Sequence, residues 1–473
     1  MAPSLGSSKI GGTGSFLLVY RRLVVHWCAI ILLLIFAVIT FLIAHAEGFG
    51  LFVIALFLIF IASQLFWIGR ILDLGERLIP GKPRRVWLAT IAGLVYLFLI
   101  AYSFPTTIGQ GHTFRAGYYR LPNILAEAVF WWWFVGSMLA FALVIAFGIV
   151  DRAALAAAWI YHKARRSAQG RTPATDSAVA DLPSRDRRRF LQQTAVLVSA
   201  TPFVAAGYGL LYGRLNVEIT RPRVRLTRLP KAFEGFHIAQ LSDIHISPFT
   251  TADHTRHCVT ITNRLKADLV VLTGDYFAWD PETEGEVVRA LAGLRAPFGV
   301  YGCLGNHEEE SGTEESIARL FAAQGIHILR QARASIQFRG EALNLIGIDE
   351  PRGRSAAEWK RDRHRRLWQI RELAMPDTVN ILLSHSPYEL FLDHAAGLGI
   401  DLILAGHTHG GQLSFDFIHR GLNLSHLLYR YSSGWYEKDG AQLYVNRGIG
   451  TTGFPIRLGA RPEITVFELT HET

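Results

Sequence analysis

Sulfur is scarce in this chain: its 473 residues hold three cysteines and three methionines. Cys28 falls inside an apolar run. Cys258 and Cys303 are free to pair in an oxidising compartment, but nothing in the sequence requires it. Neither has the spacing of a thiolate metal site, so both are read as small apolar fillers. Acidic groups are missing where the chain is most apolar, with Glu127 the one exception. The apolar runs have no paired charges and no broken repeats, which argues against a transport path. Basic residues are not interleaved with aromatics, so the net charge of +9 is not a nucleic-acid footprint and no nucleic-acid partner is expected. Nor does any Ser-His-Asp order offer a protein nucleophile.

What is present is an uneven distribution of hydrophobic residues. Four long runs, Leu23–Ala46, Leu51–Ile68, Val86–Phe104 and Ile124–Val150, are each long enough to cross a bilayer as a helix. They lack the polar stripe of a soluble helix. Trp131, Trp132 and Trp133 suit an interface or a neighbouring helix, and Glu127 suits a helix end at the headgroups. Arg21 and Arg22 precede the first run. Arg70, Arg77, Lys82, Arg84 and Arg85 follow the second, and Arg152, Lys163, Arg165, Arg166 and Arg171 follow the fourth. The other two connections are poor in Lys and Arg. The charge bias places the N-terminus and the second and fourth connections in the cytoplasm.

The chain then divides into a four-helix transmembrane region (1–150), a cytoplasmic linker (151–189), a fifth transmembrane or signal-anchor segment (190–213) and a soluble domain (214–473). Ser167–Asp186 is rich in Ser, Ala, Thr and Pro. It runs into Asp186-Arg187-Arg188-Arg189-Phe190-Leu191-Gln192 and then the moderately apolar Thr194–Tyr212. This order resembles a twin-arginine export signal inside the chain, with the translocase as a partner during biogenesis. The plainer reading is a span with basic anchors. Either way, five crossings put everything after Tyr212 outside the cytoplasm: a multi-pass protein of a bacterial inner membrane, its partner the lipid bilayer.

From about Asn216 short apolar runs alternate with amphipathic stretches. Strands are expected at Val217–Leu226, Phe236–Leu241, Leu269–Leu272, Gly299–Leu304, Leu343–Ile348, Val379–Leu383 and Leu402–Leu404. Helices are expected at Asp253–Lys266, Gly285–Leu294, Glu314–Gln324, Arg361–Leu373 and near Tyr388–His394, with strands and turns over Gly434–Leu469. Such alternation is that of a layered α/β domain, whose site gathers at the carboxyl ends of its strands.

Polar clusters close five of these strands in order: Asp243 and His245, then Gly274-Asp275, Gly305-Asn306-His307-Glu308, Ser384-His385-Ser386 and Gly406-His407-Thr408-His409. Residues i and i+2 leaving a strand share a side, so His407 and His409 form a pair. Flanking glycines let backbone come close. Each cluster alone is weak, since an isolated Asp-x-His is usually solvated; chance is a poor account of all five. Oxygen and nitrogen donors without sulfur suit Mn, Fe or Zn, and there are enough of them for two ions. His254 and His257 are read as a solvated helix face.

This order of motifs resembles the calcineurin-like metallophosphoesterases, over roughly Val217 to Leu469. The Gly-His-Thr-His-Gly-Gly-Gln form (406–412), the tail Tyr444-Val445-Asn446-Arg447-Gly448-Ile449-Gly450 and Pro462-Glu463-Ile464 resemble the bacterial membrane-associated phosphodiesterase branch. The resemblance implies a β-sandwich flanked by helices. It implies that Asp243, His245 and His409 hold one divalent ion, that Asn306, His385 and His407 hold a second, and that Asp275 bridges them. His307 would face the substrate, steady phosphoryl oxygens and protonate the leaving group. The implied reaction is hydrolysis of a phosphodiester, with a metal-bound hydroxide attacking phosphorus. Two alternatives stand beside it: cleavage of a pyrophosphate in a nucleotide-linked lipid precursor, and a transporter or sensor with an accessory metal domain. The longer membrane region is not part of the family pattern.

Overall fold

The computed structural model describes residues 56, 58–67, 90, 91, 93, 121–168 and 199–471, apart from 279, 354, 417, 420 and 421. The expected span Leu23–Ala46, most of Val86–Phe104, and Arg187–Arg189 lie outside the described residues. Two compact units are present. The described residues within 1–97 and 133–204 form one, and those within 98–132 and 205–473 form the other.

In the first unit, Leu58–Trp67 is a short apolar helix. Helix α1, Leu121–Ala168, contributes to both units. Its stretch Ile124–Val150 is long and apolar enough to cross a membrane. The helix does not stop at Val150: it continues through the basic Arg152–Arg166 stretch, so the first part of the expected linker is helical. Good helix formers such as the alanines of 153–158 carry it on. A small polar set is buried among the apolar side chains. Gln64 Nε2 donates to Ser137 Oγ (2.9 Å) and Trp133 Nε1 donates to Gln64 Oε1 (3.0 Å). Buried bonds of this kind tie the two apolar helices together.

The second unit holds an α/β domain made of two sheets. The first sheet orders its strands β1 (Glu218–Thr220), β13 (Glu463–His471), β3 (His237–Leu241), β4 (Leu269–Thr273), β5 (Val300–Cys303) and β6 (Ile326–Ile328), with β2 (Arg223–Leu226) also on β13. The second orders β11 (Gly434–Lys438), β12 (Ala441–Val445), β10 (Leu402–Ala405), β9 (Val379–Leu383), β8 (Glu341–Gly347) and β7 (Ala332–Phe338). Strands β3 to β6 run parallel, as do β8, β9, β10 and β12. Their carboxyl ends therefore emerge on shared edges.

Every residue of β4 and β9 is buried, which explains their unbroken apolar runs. Between the sheets Ile238, Val271 and Cys303 meet Leu345, Ile381 and Leu404. Helices α2 (Ala252–Leu265), α3 (Glu284–Leu291) and α5 (Glu314–Ala322) cover the outer face of the first sheet. Helices α6 (Ala356–Leu373) and α7 (Glu389–Ala395) cover the second. The result is a β-sandwich between helical layers.

Three differences from expectation have local causes. Val217–Leu226 is two strands, because Pro222 has no N–H for the ladder. Helix α6 starts at Ala356, where the Ser355 side chain caps the N–H of Glu358, and not at Arg361. Strands β6 and β7 are additional to the expected set: β6 is only three residues long, and β7 alternates strictly (Ala-Arg-Ala-Ser-Ile-Gln-Phe) but opens on small alanines and is an edge strand with three exposed positions. Cys258 and Cys303 are both buried and unpaired. Burial pushes the Cys258 thiol up to about 12, so it stays an inert filler.

Candidate metal centre

Five expected site residues leave their strands in left-handed backbone: Asp243 (φ 49°), His245 (47°), Asp275 (54°), His407 (72°) and His409 (52°). Such φ values are costly for residues with a Cβ and persist only where surroundings hold them. Here the strand-end turns lock one another. His407 N donates to Asp243 Oδ1 at 2.9 Å, Asp243 N donates to Gly274 O, and His307 N donates to Asp275 Oδ1 at 3.1 Å. A Cβ at Gly406 would overlap Ser242 Oγ and Asp243 Oδ2, and one at Gly305 would overlap Asp275 Oδ1. Those two glycines are required for close approach.

The turns bring Asp243, His245, Asp275, His307, His385, His407 and His409 into three overlapping groups of donors. These are Asp243, His245 and His409; His245, Asp275 and His307; and Asp275, His385 and His407. His409 Nε2 lies 3.3 Å from Asp243 Oδ1 and 3.0 Å from His245 Nε2. Asp275 Oδ2 lies 3.3 Å from His245 Nε2 and 3.1 Å from His385 Nε2, with His307 Nε2 at 3.8 Å. His385 Nε2 lies 3.1 Å from His407 Nδ1. Asn306 sits at the start of α4 (Asn306–Ser311), and its Oδ1 is buried without a hydrogen-bond partner.

Buried imidazole nitrogens and carboxylate oxygens converge here, together with a buried amide oxygen that no donor satisfies. This donor set fits divalent cations. Burial pushes His307 and His407 down to about 3 and raises Asp243. Burial also opposes charge on Asp275 and His385, but their mutual attraction outweighs it. It holds Asp275 well below and His385 well above their ordinary values.

A sequence model described as calcineurin-like phosphoesterase matches residues 236–411. The chain is 30% identical over 293 residues to the uncharacterized metallophosphoesterase YkuE of Bacillus subtilis, covering 60% of this chain and 97% of that one. The chain belongs to the calcineurin-like phosphoesterase family. It is 28% identical over 295 residues to the phosphodiesterase YaeI of Escherichia coli, covering 60% of this chain and 98% of that one. It is also 28% identical over 283 residues to a zebrafish transmembrane protein with metallophosphoesterase domain. That match covers 58% of this chain and 62% of the zebrafish protein.

The phosphoesterase has further residues that the strand-end motifs did not single out. Glu308 was visible in its motif but had no role. Its buried carboxylate accepts from the N–H groups of Gly305 (2.8 Å), Asp275 (3.0 Å) and Tyr276 (2.8 Å), and burial raises it to about 7. Glu350 closes strand β8 as the other clusters close theirs, and that rule would have found it. It accepts from Ser386 N and Oγ, and from the Tyr388 hydroxyl, beside His385. Tyr429 had no sequence signal. Its hydroxyl lies 3.0 Å from His407 Nε2, leaving Nδ1 for the cluster. His254 is half-buried beside Cys258 rather than solvated, and burial lowers it to about 4; His257 is exposed as expected.

Proposed function

We propose that this phosphoesterase hydrolyses phosphodiesters at a two-metal site. Asp243, His245 and His409 hold one divalent ion; Asn306, His385 and His407 hold the other; Asp275 lies between them. The observation that carries this reading is Asp275 Oδ2, which is within 3.3 Å of a histidine from each set. Bound ions supply positive charge that neutralises phosphoryl oxygens and lowers the pKa of a water. The chain's own part is placement. Asp275 and Asp243 bring negative charge where two cations must sit together. The left-handed turns fix the ligands before substrate arrives. Glu308 and Glu350 hold the backbone beneath Asp275 and His385. His307, buried beside Asp275, offers an imidazole N–H to a phosphoryl or leaving-group oxygen.

The same reading makes the chain a multi-pass inner-membrane protein with its catalytic domain (214–473) outside the cytoplasm. The distribution of Lys and Arg and the apolar helix Ile124–Val150 support it. The fifth segment, 190–213, would act as an anchor, with Arg187 and Arg188 as an export signal. A specific observation favours a second substrate class, a lipid-linked ester or pyrophosphate. The loop from Gln412 to Tyr429 exposes Ile418, Leu422 and Leu428 and ends on the tyrosine that touches His407. Hydrolysis assays on the detergent-purified full chain test both, with Mn, Fe or Zn added. The substrates are a phosphomonoester, a soluble phosphodiester and a nucleotide-diphospho-lipid. Turnover of the diester is expected. Cleavage of the monoester alone would overturn the phosphodiesterase reading.

A further inference from the structure

A hairpin leaves the metal site directly after Gln412. Ser414 bridges to Asn423, and Phe415 N donates to Leu422 O (3.0 Å), so 414–423 folds back on itself. Its base is polar and enclosed: Ser414, Asn423 and Ser425 are buried, and Asn423 Oδ1 accepts from Ser425 N (3.0 Å). Its outer part is apolar and open. Ile418 is 65% exposed and Leu422 50%, and Leu428 follows at 37%. The chain then returns to the site through Tyr429, whose hydroxyl lies 3.0 Å from His407 Nε2. Large apolar side chains exposed together on a fastened loop mark a surface that something covers.

The neighbours of the base identify the cover. Ser414 N donates to Leu458 O (2.8 Å), and Leu458 N donates to Gln412 O (2.8 Å). The segment Ile456–Leu458 in turn carries the π-helical turn Gly209–Gly213 that ends the apolar segment before the domain. Gly209 O accepts from Arg457 N (3.3 Å). A Cβ at Gly209 would lie 2.7 Å from Ile456 Cγ2, and one at Gly213 would overlap Arg457 O. Those two glycines let the turn lie directly on 456–458. Gln412 also ties the base to a second apolar element. Its Nε2 donates to Thr452 O (2.7 Å), and Phe454 packs on Trp131 at 5.8 Å between ring centroids. Trp131 stands near the start of Ile124–Val150, the stretch long and apolar enough to cross a membrane, and tryptophan favours the headgroup level there. The hairpin is thus rooted one segment away from two apolar elements of its own unit. Leu211 and Tyr212, on the turn itself, are exposed as well.

We propose that the 414–423 hairpin lies in the headgroup layer of the bilayer, with Ile418 and Leu422 dipping below it, and that the site takes its phosphodiester from a lipid held there. Interfacial apolar faces sink roughly 5–10 Å into the boundary of headgroups and acyl chains. A lipid's phosphoryl group lies at that level, so the substrate reaches His407 without leaving the bilayer. Hydrolysis adds water across one P–O bond: one product keeps the phosphate as a monoester, and the other leaves as the alcohol. This rests on the two-metal phosphodiesterase reading above and names its substrate class.

The test uses the full chain in phospholipid nanodiscs with Mn2+ added, and it has two readouts. The first is photo-crosslinking from benzoylphenylalanine placed at Leu422 or, as a control, at Trp368 on α6, which is also 60% exposed. A lipid adduct, detected by mass spectrometry, is expected from Leu422 and not from Trp368. The second compares a nitrophenyl diester bearing a long alkyl chain, which the disc holds, with its soluble ethyl counterpart. Wild type should favour the long-chain diester in kcat/KM by roughly 10-fold or more, since two large apolar side chains are buried with it. Ile418→Asp combined with Leu422→Asp should lose that preference, and Trp368→Ser should keep it. No adduct from Leu422 would overturn the docked hairpin, and that readout decides alone if the double Asp variant fails to fold. A wild type without preference, or a double variant that keeps it, would overturn the lipid substrate. So would cleavage of a nucleotide-diphospho-lipid in place of the long-chain diester. A chain that crosslinks to lipid and cleaves neither diester would sink the phosphodiesterase reading and leave the docked hairpin standing.

Discussion

Asp275 Oδ2 lies 3.1 Å from His385 Nε2, with both side chains fully enclosed and no arginine or lysine between them. The same oxygen faces His245 on its other side at 3.3 Å. A carboxylate in that position has two sets of nitrogen donors to serve, and it is the residue whose loss should matter most. Asp275→Asn removes one negative charge between two expected cations. We expect activity to be lost and bound metal to fall from two ions toward one or none, measured by elemental analysis of the purified full chain. Two retained ions with full turnover would contradict the assignment.

His307 has its Nε2 at 3.8 Å from Asp275, and its ring packs edge-on against His245 at 4.6 Å between centroids. His307→Ala should keep metal content while slowing hydrolysis of unactivated diesters by roughly 10²-fold or more. A nitrophenyl diester, whose leaving group needs no proton, should lose less. Equal losses on both substrates would favour a purely orienting contact over proton donation.

The loop Arg447–Gly450, which packs on Asp243, has a neighbouring carboxylate with a pH dependence of its own. Burial pushes the Glu463 carboxyl up, but Arg447 beside it (2.8 Å) outweighs burial and holds it below its ordinary value. The unfolded chain then binds this proton more readily than the folded one. The stabilisation is present above the unfolded carboxyl's pKa of about 4.3 and is lost as pH falls through the lower folded value. Urea midpoints at about pH 7 and about pH 4 should therefore differ more for wild type than for Glu463→Gln. A parallel pH dependence in the two proteins would remove Glu463 as a source of acid sensitivity.

Topology is testable without chemistry. A reporter fused after Thr473 should read as extracytoplasmic: alkaline phosphatase active, a fluorescent protein dark. Changing Arg187 and Arg188 to Lys should trap the domain inside if the twin-arginine route carries it. Normal export by that variant would end the twin-arginine idea and leave five crossings standing. A wild-type C-terminus inside the cytoplasm would overturn the orientation.

The layered α/β class and the eight candidate site residues were legible in the sequence for one reason. In parallel sheets, ligands sit where strands end, so Asp243, Asp275, Asn306, His385 and His407 follow an apolar run by one to three residues. That is a local pattern, and a single chain displays it. Glu350 obeys the same rule and was overlooked because a lone Asp-Glu pair resembles any polar turn. Tyr429 obeys no such rule. Its partner, His407, lies 22 residues away in the chain and meets it only across packed loops. Likewise the glycines Gly209 and Gly213 read as ordinary members of an apolar segment until the fold lays Arg457 against them. The sequence by itself determined which side chains end each strand and hence the chemistry available. Tertiary structure decided which of their nitrogens and oxygens face one another and which distant groups hold them there, because long-range packing leaves no periodic trace in the residues that it joins.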